Sequence, residues 1–192
     1  MSKLNIPGGK LFCFASESGA GKDSVVKALE KKGYGKSICS HTTRPMRDGE
    51  EDGREHWFDT PELFHFLQRT HPESVLAYTK IGEIEYMAMV EQLEESNFYV
   101  IDPHGIRNLK SRFPDIPMIV IYITASEETK RERASSRSDF SSAFNNRIMA
   151  EREQFKEFSL NKEYDYVVYN EEKSFEETLH EVVSILDKEQ CR

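Results

Sequence analysis

A short apolar run that leads through a loop of small residues into a helix constrains this chain more than any other feature. The run Leu11–Ala15 carries no charge, which is typical of a strand buried on both faces. The loop contains Gly19 and Gly21, and the pattern then predicts a helix over 22–32 that ends at Gly33. In this order of elements, backbone N–H groups and a helix N-terminus can bind phosphate, so we expect an anionic ligand here.

The loop follows the phosphate-binding pattern G-x-x-x-x-G-K-[ST] with two departures. Ser16 stands in place of the first glycine and fits if its backbone keeps a negative φ. Asp23 stands in place of the Ser or Thr that contacts Mg²⁺, and a carboxylate is itself a suitable magnesium ligand. Lys22 supplies the positive charge for the phosphates. A simple glycine turn ahead of a helix is the alternative interpretation.

Three further apolar runs resemble buried strands, at 98–102, Met118–Thr124 and Tyr166–Tyr169. Helix start signals lie between and after them, at Thr60 with Pro61, at Ser126, and at Ser174 with Glu177. Strands that alternate with helices in this way predict an α/β fold with a parallel sheet and helices on both faces.

Composition excludes several classes of protein. The chain has 192 residues with 26 basic and 34 acidic side chains, a net charge of −8, which argues against a nucleic-acid binder. No apolar run approaches the ~20 residues that span a bilayer, and the first ten residues lack an apolar signal core. Three scattered cysteines without a C-x-x-C pair indicate a reducing compartment. We therefore expect a cytoplasmic protein that does not bind membranes.

Residues 40–58, SHTTRPMRDGEEDGREHWF, resemble the STTRxxRxGExxGxxYxF signature of guanylate kinases. Later segments match the same family in order: 99–105 resembles its strand ending in DxxG, 121–137 the start of its lid, and 164–170 its closing strand and asparagine. The resemblance implies a P-loop NTPase fold. It also implies ATP- and Mg²⁺-dependent phosphoryl transfer to a nucleoside monophosphate, with GMP or dGMP as the expected acceptor and the diphosphate as product.

The resemblance also implies a division of one domain, 1–192, into a core and two inserts. The core comprises 1–36, 91–128 and 157–192, the acceptor-binding insert 37–90, and the lid 129–156. The lid segment carries seven basic and four acidic side chains, although a solvated helix face is an alternative explanation for that charge. The partners implied are small nucleotides, and the protein is expected to be a monomer or a homodimer.

Residue roles follow from the same resemblance. Donor-nucleotide contacts are expected from Ser18, Gly19, Ala20, Gly21, Lys22, Asp23, Ser24 and Asn170. Acceptor contacts are expected from Ser40, Arg44, Arg47, His56, Tyr86 and Asp102. Catalytic charge is expected from Lys22, Arg44, Arg133, Arg137 and Arg147, and magnesium contacts from Asp23 and Asp102.

Physical arguments support some of these roles and leave alternatives for others. Arg44 and Arg47, three residues apart in a loop, can fork onto one phosphate, or they can pair with Glu50 or Glu51. Arg133 and Arg137 share a helix face because they are four residues apart. Asp102 can also be a solvated carboxylate at a strand end, and His56 a packing residue beside Trp57 and Phe58.

The pocket for the acceptor base departs from the family pattern. His56 stands where the family has a tyrosine, and Val100 where it has an acid. Leu76 aligns with the glutamate that reads guanine, and leucine accepts no hydrogen bond. A slip in the alignment brings Glu73, Glu83 or Glu85 to that place instead.

Two alternatives to a GMP kinase follow from these departures. A kinase for another or modified nucleotide, or for ribose 1,5-bisphosphate, needs no guanine reader. A non-catalytic module of the same family would bind a phosphopeptide or a protein. Lys22 and the lid arginines argue against the module, because such modules lose the ATP loop.

Overall fold

The computed structural model describes residues 5–135, 142–171 and 175–190, and it describes side chains for 5–133, 151–171 and 175–190. The strands are β1 (Leu11–Ala15), β2 (His41–Thr42), β3 (Trp57–Phe58), β4 (Val75–Ile81), β5 (Ile84–Met89), β6 (Phe98–Val100), β7 (Met118–Thr124) and β8 (Tyr166–Tyr169). The helices are α1 (Lys22–Lys31), α2 (Pro61–Thr70), α3 (Pro103–Arg112), α4 (Glu127–Ser135), α5 (Ser142–Leu160) and α6 (Phe175–Gln190). Within the described parts of the chain, no helix is long and apolar enough to cross a membrane.

The four apolar runs form one parallel sheet in the order β6-β1-β7-β8, as the sequence predicts. β1 lies in the middle, with Cys13 opposite Tyr99 of β6 and Val120 of β7. The prediction for β6 was wrong at its end, because the strand stops at Val100 rather than at position 102. Asp102 instead caps α3, whose first residue is Pro103, a residue suited to the start of a helix.

Helices cover both faces of this sheet, which confirms the predicted α/β architecture. Alternate residues of β1 point to opposite sides, so Phe12 and Phe14 pack with α1 and α6. Cys13 lies in the other core cluster, where α3 and α5 contribute Ile106 and Phe155. α1 ends at Lys31, one residue before the predicted end.

A second, mixed sheet has the order β3-β2-β5-β4. β2 pairs parallel with β3 and antiparallel with β5, and β4 and β5 form an antiparallel hairpin with a register shift between Val75 and Ala77. Its helix, α2, begins as predicted, since the Thr60 side chain accepts a hydrogen bond from the Leu63 N–H at 3.3 Å.

Two other predicted helix starts have different outcomes. The Ser126 hydroxyl oxygen accepts the backbone N–H of Thr129 at 3.2 Å, so Ser126 caps α4 rather than beginning it. The predicted capping box of Ser174 with Glu177 includes a residue outside the described part of the chain, so it stays a prediction.

Candidate active site

The loop at residues 16–21 turns sharply between β1 and α1. Gly19 has φ +87° and Gly21 φ +89°, a left-handed conformation that favours glycine. A Cβ on Gly19 would collide with the backbone carbonyl of Lys130, and one on Gly21 with the side-chain amide of Asn170. Both glycines are therefore required by backbone conformation and by close packing.

The side chain of Asn170 holds this loop in place. Its Nδ2 donates to the carbonyl of Ala20 at 2.8 Å, and its Oδ1 accepts the hydroxyl of Thr178 at 3.1 Å. Asn170 is buried, and each polar atom of its amide has a partner within the protein. The structure places this residue, predicted as a donor contact, against the loop backbone.

Lys22 opens α1 and has a carboxylate beside it. Its Nζ lies 3.0 Å from Oδ1 of Asp23, and the Asp23 side chain is 59% exposed. The phosphates of a bound nucleotide would compete with Asp23 for this ammonium. Ser24 follows on the same first turn of the helix and is exposed.

Arg44 is buried and forms a bidentate pair with Glu50. Nη2 lies 2.8 Å from Oε1 and Nη1 lies 3.0 Å from Oε2, while the backbone N–H of Arg47 also donates to Oε2 at 2.8 Å. Burial raises the pKa of Glu50, but the hydrogen bonds from Arg44 and from the Arg47 backbone outweigh it, so the pKa lies below its usual value. The carboxylate therefore stays ionised and occupies both donor positions of the Arg44 guanidinium fork.

His56 connects Arg44 to the neighbouring strands. Its ring centroid lies 5.8 Å from that of Phe58 and 5.7 Å from that of Tyr86, and its Nδ1 lies 2.9 Å from the hydroxyl oxygen of Ser40. Burial and the nearby charge of Arg44 lower the pKa of His56 to about 4. The imidazole is therefore neutral near pH 7. The Arg44 guanidinium lies over the ring of Phe58, 5.3 Å from its centroid. Ser40, Arg44, His56 and Tyr86 thus form one cluster, which we call the arginine cluster.

Asp102 lies where the two sheets meet. Its Oδ1 accepts the backbone N–H of Gly105 at 3.0 Å and the hydroxyl of Thr79 at 3.3 Å. Thr79 is directly opposite Tyr86 in the hairpin, and the N–H of Ile101 donates to the carbonyl of Phe14 beside the phosphate loop. Asp102 thus lies between the loop and the arginine cluster.

The three glutamates proposed as guanine readers are either exposed or already paired with other side chains. Glu73 is exposed before β4, and the Glu83 side chain at the hairpin tip is 98% exposed. Glu85 accepts the hydroxyl of Tyr78 at 2.7 Å and lies 2.8 Å from Nε2 of His65 on α2. Because side chains alternate along a strand, Glu85 faces away from the side on which Tyr86 joins the arginine cluster.

Leu76 offers no replacement for a carboxylate. It is fully buried and belongs to the core cluster that also contains Ala77 and Ala88. This part of β4 and β5 therefore presents apolar side chains on the side of the sheet that packs against α3.

The predicted lid arginines are described only in part. Arg133 on α4 reaches the phosphate loop, since its Nη1 would lie 3.7 Å from a Cβ on Gly21. Arg137 lies outside the described residues, and Arg147 lies on α5 with its side chain outside the description.

Sequence analysis missed the side chains that attach the loop to the helices beside it. Glu17 pairs with Lys130 on α4 at 2.5 Å, and the hydroxyl of Ser18 donates to Oε2 of Glu151 on α5 at 2.7 Å. The partners are separated by more than one hundred residues, so no local pattern indicates them.

The chain resembles known proteins in sequence and in fold. The family model described as guanylate kinase matches residues 9–189. Guanylate kinase from Vibrio cholerae serotype O1 is 31% identical over 193 residues, covering 96% of this chain and 90% of the relative. Guanylate kinase from Haemophilus influenzae is 31% identical, covering 94% and 88% respectively. The crystal structure of guanylate kinase from Anaplasma phagocytophilum matches with a TM-score of 0.73 at 24% identity, over 96% of this chain and 87% of that one, which supports the fold.

Proposed function

The chain belongs to the guanylate kinase family and is a nucleoside monophosphate kinase, and from this premise we propose that it transfers the γ-phosphoryl group of ATP to GMP or dGMP. The products are ADP and the nucleoside diphosphate. The observation that carries the proposal is the placement of a phosphate loop opposite a buried arginine, which gives one site for each of two anionic substrates.

One electrostatic effect and one ion pair support that placement. The charge of Asp23 on α1 acts on the ring of His56 and opposes the effect of burial on its pKa. The Nζ of Lys27, one turn further along α1, lies 3.2 Å from Glu55, which precedes His56 in the chain. The loop helix and the arginine cluster are therefore neighbours.

In the proposed mechanism the protein positions the two phosphates and neutralises their charge. The acceptor phosphate takes the guanidinium fork of Arg44 from Glu50, and Arg47 supplies a second cation from the same loop. His56 is neutral, so it offers one N–H donor without adding charge. Lys22 and Arg133 stabilise the charge on the transferred group. Phosphoryl transfer needs little more than such preorganised electrostatics.

Magnesium fits the exposed carboxylate of Asp23 better than any preformed cage. Among the described residues, no group of three or more His, Cys, Asp or Glu side chains is arranged to hold a metal. Asp23 would hold Mg²⁺ directly or through a water molecule, and the ion would supply positive charge that neutralises the donor phosphates. Asp102 has Oδ1 committed to two donors, so only its other oxygen remains for a metal-bound water or for the acceptor.

We further propose that the second sheet belongs to an acceptor-binding insert at 37–90 and that 129–156 is a lid. Closure of the lid would bring Arg133, Arg137 and Arg147 over the phosphates. Such closure would exclude water from the transferred group, which would otherwise be lost to hydrolysis. The core of 1–36, 91–128 and 157–192 would stay fixed during that motion.

A second candidate acceptor is favoured by the buried Leu76. Without a carboxylate on this strand, the exocyclic amine of guanine finds no partner there. A different or modified nucleotide, or ribose 1,5-bisphosphate, would not lose this hydrogen bond.

The test is a panel of acceptors with ATP and Mg²⁺, read as ADP release. The panel contains ribo- and deoxynucleoside monophosphates and ribose 1,5-bisphosphate, and Lys22→Ala serves as the matched inactive control. We expect the highest kcat/KM for GMP or dGMP. A higher value for another acceptor would replace the proposed substrate, and no turnover with any acceptor would favour a non-catalytic binding module.

A further inference from the structure

Three consecutive residues of the phosphate loop, Glu17, Ser18 and Gly19, contact α4 or α5. The Glu17 carboxylate meets Lys130 of α4, the Ser18 hydroxyl donates to Glu151 of α5, and Gly19 packs against the backbone of Lys130. Asn170 holds the loop at another residue, through the carbonyl of Ala20. Side chains from several elements therefore fix the position of the loop.

The Glu17–Lys130 pair is shielded from water. The side chains of Glu17 and Lys130 are only 12% and 10% exposed. Lys130 also lies 2.5 Å from Glu127, and the hydroxyl of Tyr122 donates to Oε2 of Glu17 at 3.3 Å. A pair with this little exposure is weakly screened by salt, and loss of one partner leaves the other carrying an uncompensated charge.

Neither charge belongs to the phosphate-binding machinery itself. Lys130 Nζ is held by two carboxylates, whereas Lys22 supplies the ammonium at the start of α1. Glu17 is acidic, so it gives no attraction to a polyanion. Its effect on a nucleotide must therefore act through the loop backbone, which is the part that binds phosphate.

We propose that Glu17 and Lys130 are positioning residues for the donor nucleotide. Their ion pair ties the loop to the first turn of α4, at the base of the proposed lid, so that the loop N–H groups converge on the phosphates. The proposal rests on ATP as the donor in the proposed function. Loss of the ion pair should lower the affinity for ATP and leave acceptor binding unchanged, because the arginine cluster is formed by other segments of the chain.

The experiment compares Glu17→Gln and Lys130→Met with the double variant and with Lys130→Arg. We expect each neutral variant to raise the ATP KM about tenfold, the usual scale of coupling between contacting groups. The double variant should raise the ATP KM no more than the single variant with the larger effect. The ATP KM of Lys130→Arg should stay within about threefold of the parent value, since arginine keeps the positive charge. The acceptor KM should stay constant throughout.

The matched control is Lys36→Met, which removes an exposed pair with Glu95 at 2.7 Å. It should leave both KM values and the melting temperature unchanged, because exposed pairs contribute little. Circular dichroism verifies that each variant is folded. Lower melting temperatures with an unchanged ATP KM would reduce the pair to a structural role and overturn the proposal, as would equal effects on both substrates.

ATP binding by calorimetry separates this proposal from the proposed function. If the parent protein does not bind ATP·Mg²⁺, the proposed function fails. If the parent binds ATP and the neutral variants bind it equally well, only the positioning role fails.

Discussion

Replacing GMP by IMP tests the apolar base pocket without altering the protein. The two acceptors differ by one exocyclic amine, which a family carboxylate would bind. The sequence alignment predicts Leu76 at the position of that carboxylate, and Leu76 is fully buried in the core cluster that contains Ala77 and Ala88. The amine would lose its water and gain no protein acceptor from this strand.

The magnitude follows from the cost of an unsatisfied buried donor. That cost is about 1–3 kcal/mol, or roughly tenfold to hundredfold in kcat/KM. An enzyme with a carboxylate partner would favour GMP, because a site built for a hydrogen bond rejects an analogue that lacks it. This protein should therefore favour GMP over IMP by much less than such an enzyme would, with a GMP-to-IMP ratio of kcat/KM that is smaller by about tenfold to hundredfold. Coupled measurement of ADP release at subsaturating acceptor gives the ratio directly.

The protein variant for the same test is Leu76→Glu. A carboxylate at this position should raise the GMP-to-IMP ratio, although its burial also lowers the free energy of unfolding. Melting temperatures with and without each nucleotide separate the two effects. A parent preference for GMP above about 10³-fold would refute the reasoning, because a difference that large requires a hydrogen-bonded amine. Asp102 would then be the first candidate for the hydrogen-bond acceptor, since Glu73 and Glu83 are exposed and Glu85 is paired with His65 and Tyr78.

Three more outcomes can be measured on the same protein. Lys22→Ala should reduce kcat by about 10²-fold or more at an unchanged melting temperature, as expected for loss of one preorganised charge. Arg44→Ala and Arg47→Ala should raise the acceptor KM with little change in ATP affinity, whereas Arg133→Ala should chiefly lower kcat. If Arg44→Ala and Arg47→Ala weakened ATP binding alone, the donor and acceptor sites would have to be exchanged. The pKa of His56 is about 4 in the folded protein against 6.5 ordinarily, so the unfolded chain binds the proton first as pH falls. Stability in urea should therefore decline between pH 6.5 and 4 by up to about 1.4 kcal/mol per pH unit, and His56→Asn should flatten the upper part of that slope.

Some of the site was accessible from sequence because its determinants are local. The run from β1 through Gly19 and Gly21 into α1 places a strand, a turn and a helix start within about twenty residues, and each has its own residue preference. Thr60 and Pro61 likewise begin α2 by a short-range rule. The four strands of the parallel sheet were found because strands buried on both faces need uninterrupted apolar runs.

The second sheet and the state of its charged groups depended on tertiary structure. β2 and β3 have two residues each, too few for a periodic signal. The sequence allowed Arg44 to bind phosphate or to pair with Glu50, and only the packed loop shows the pair. The face of the sheet on which Glu85 lies depended on the register of the β4–β5 hairpin, because a shift of one residue moves a side chain to the other face.

The sequence alone determined which residues could carry the chemistry, since a phosphate loop and paired arginines are specified by residue type over short distances. Tertiary structure decided which groups meet. Asn170 binds the loop from 150 positions away, and Lys130 reaches Glu17 across 113. Contacts at such separations depend on how helices pack on a shared sheet, and a single sequence carries no local signal of that packing.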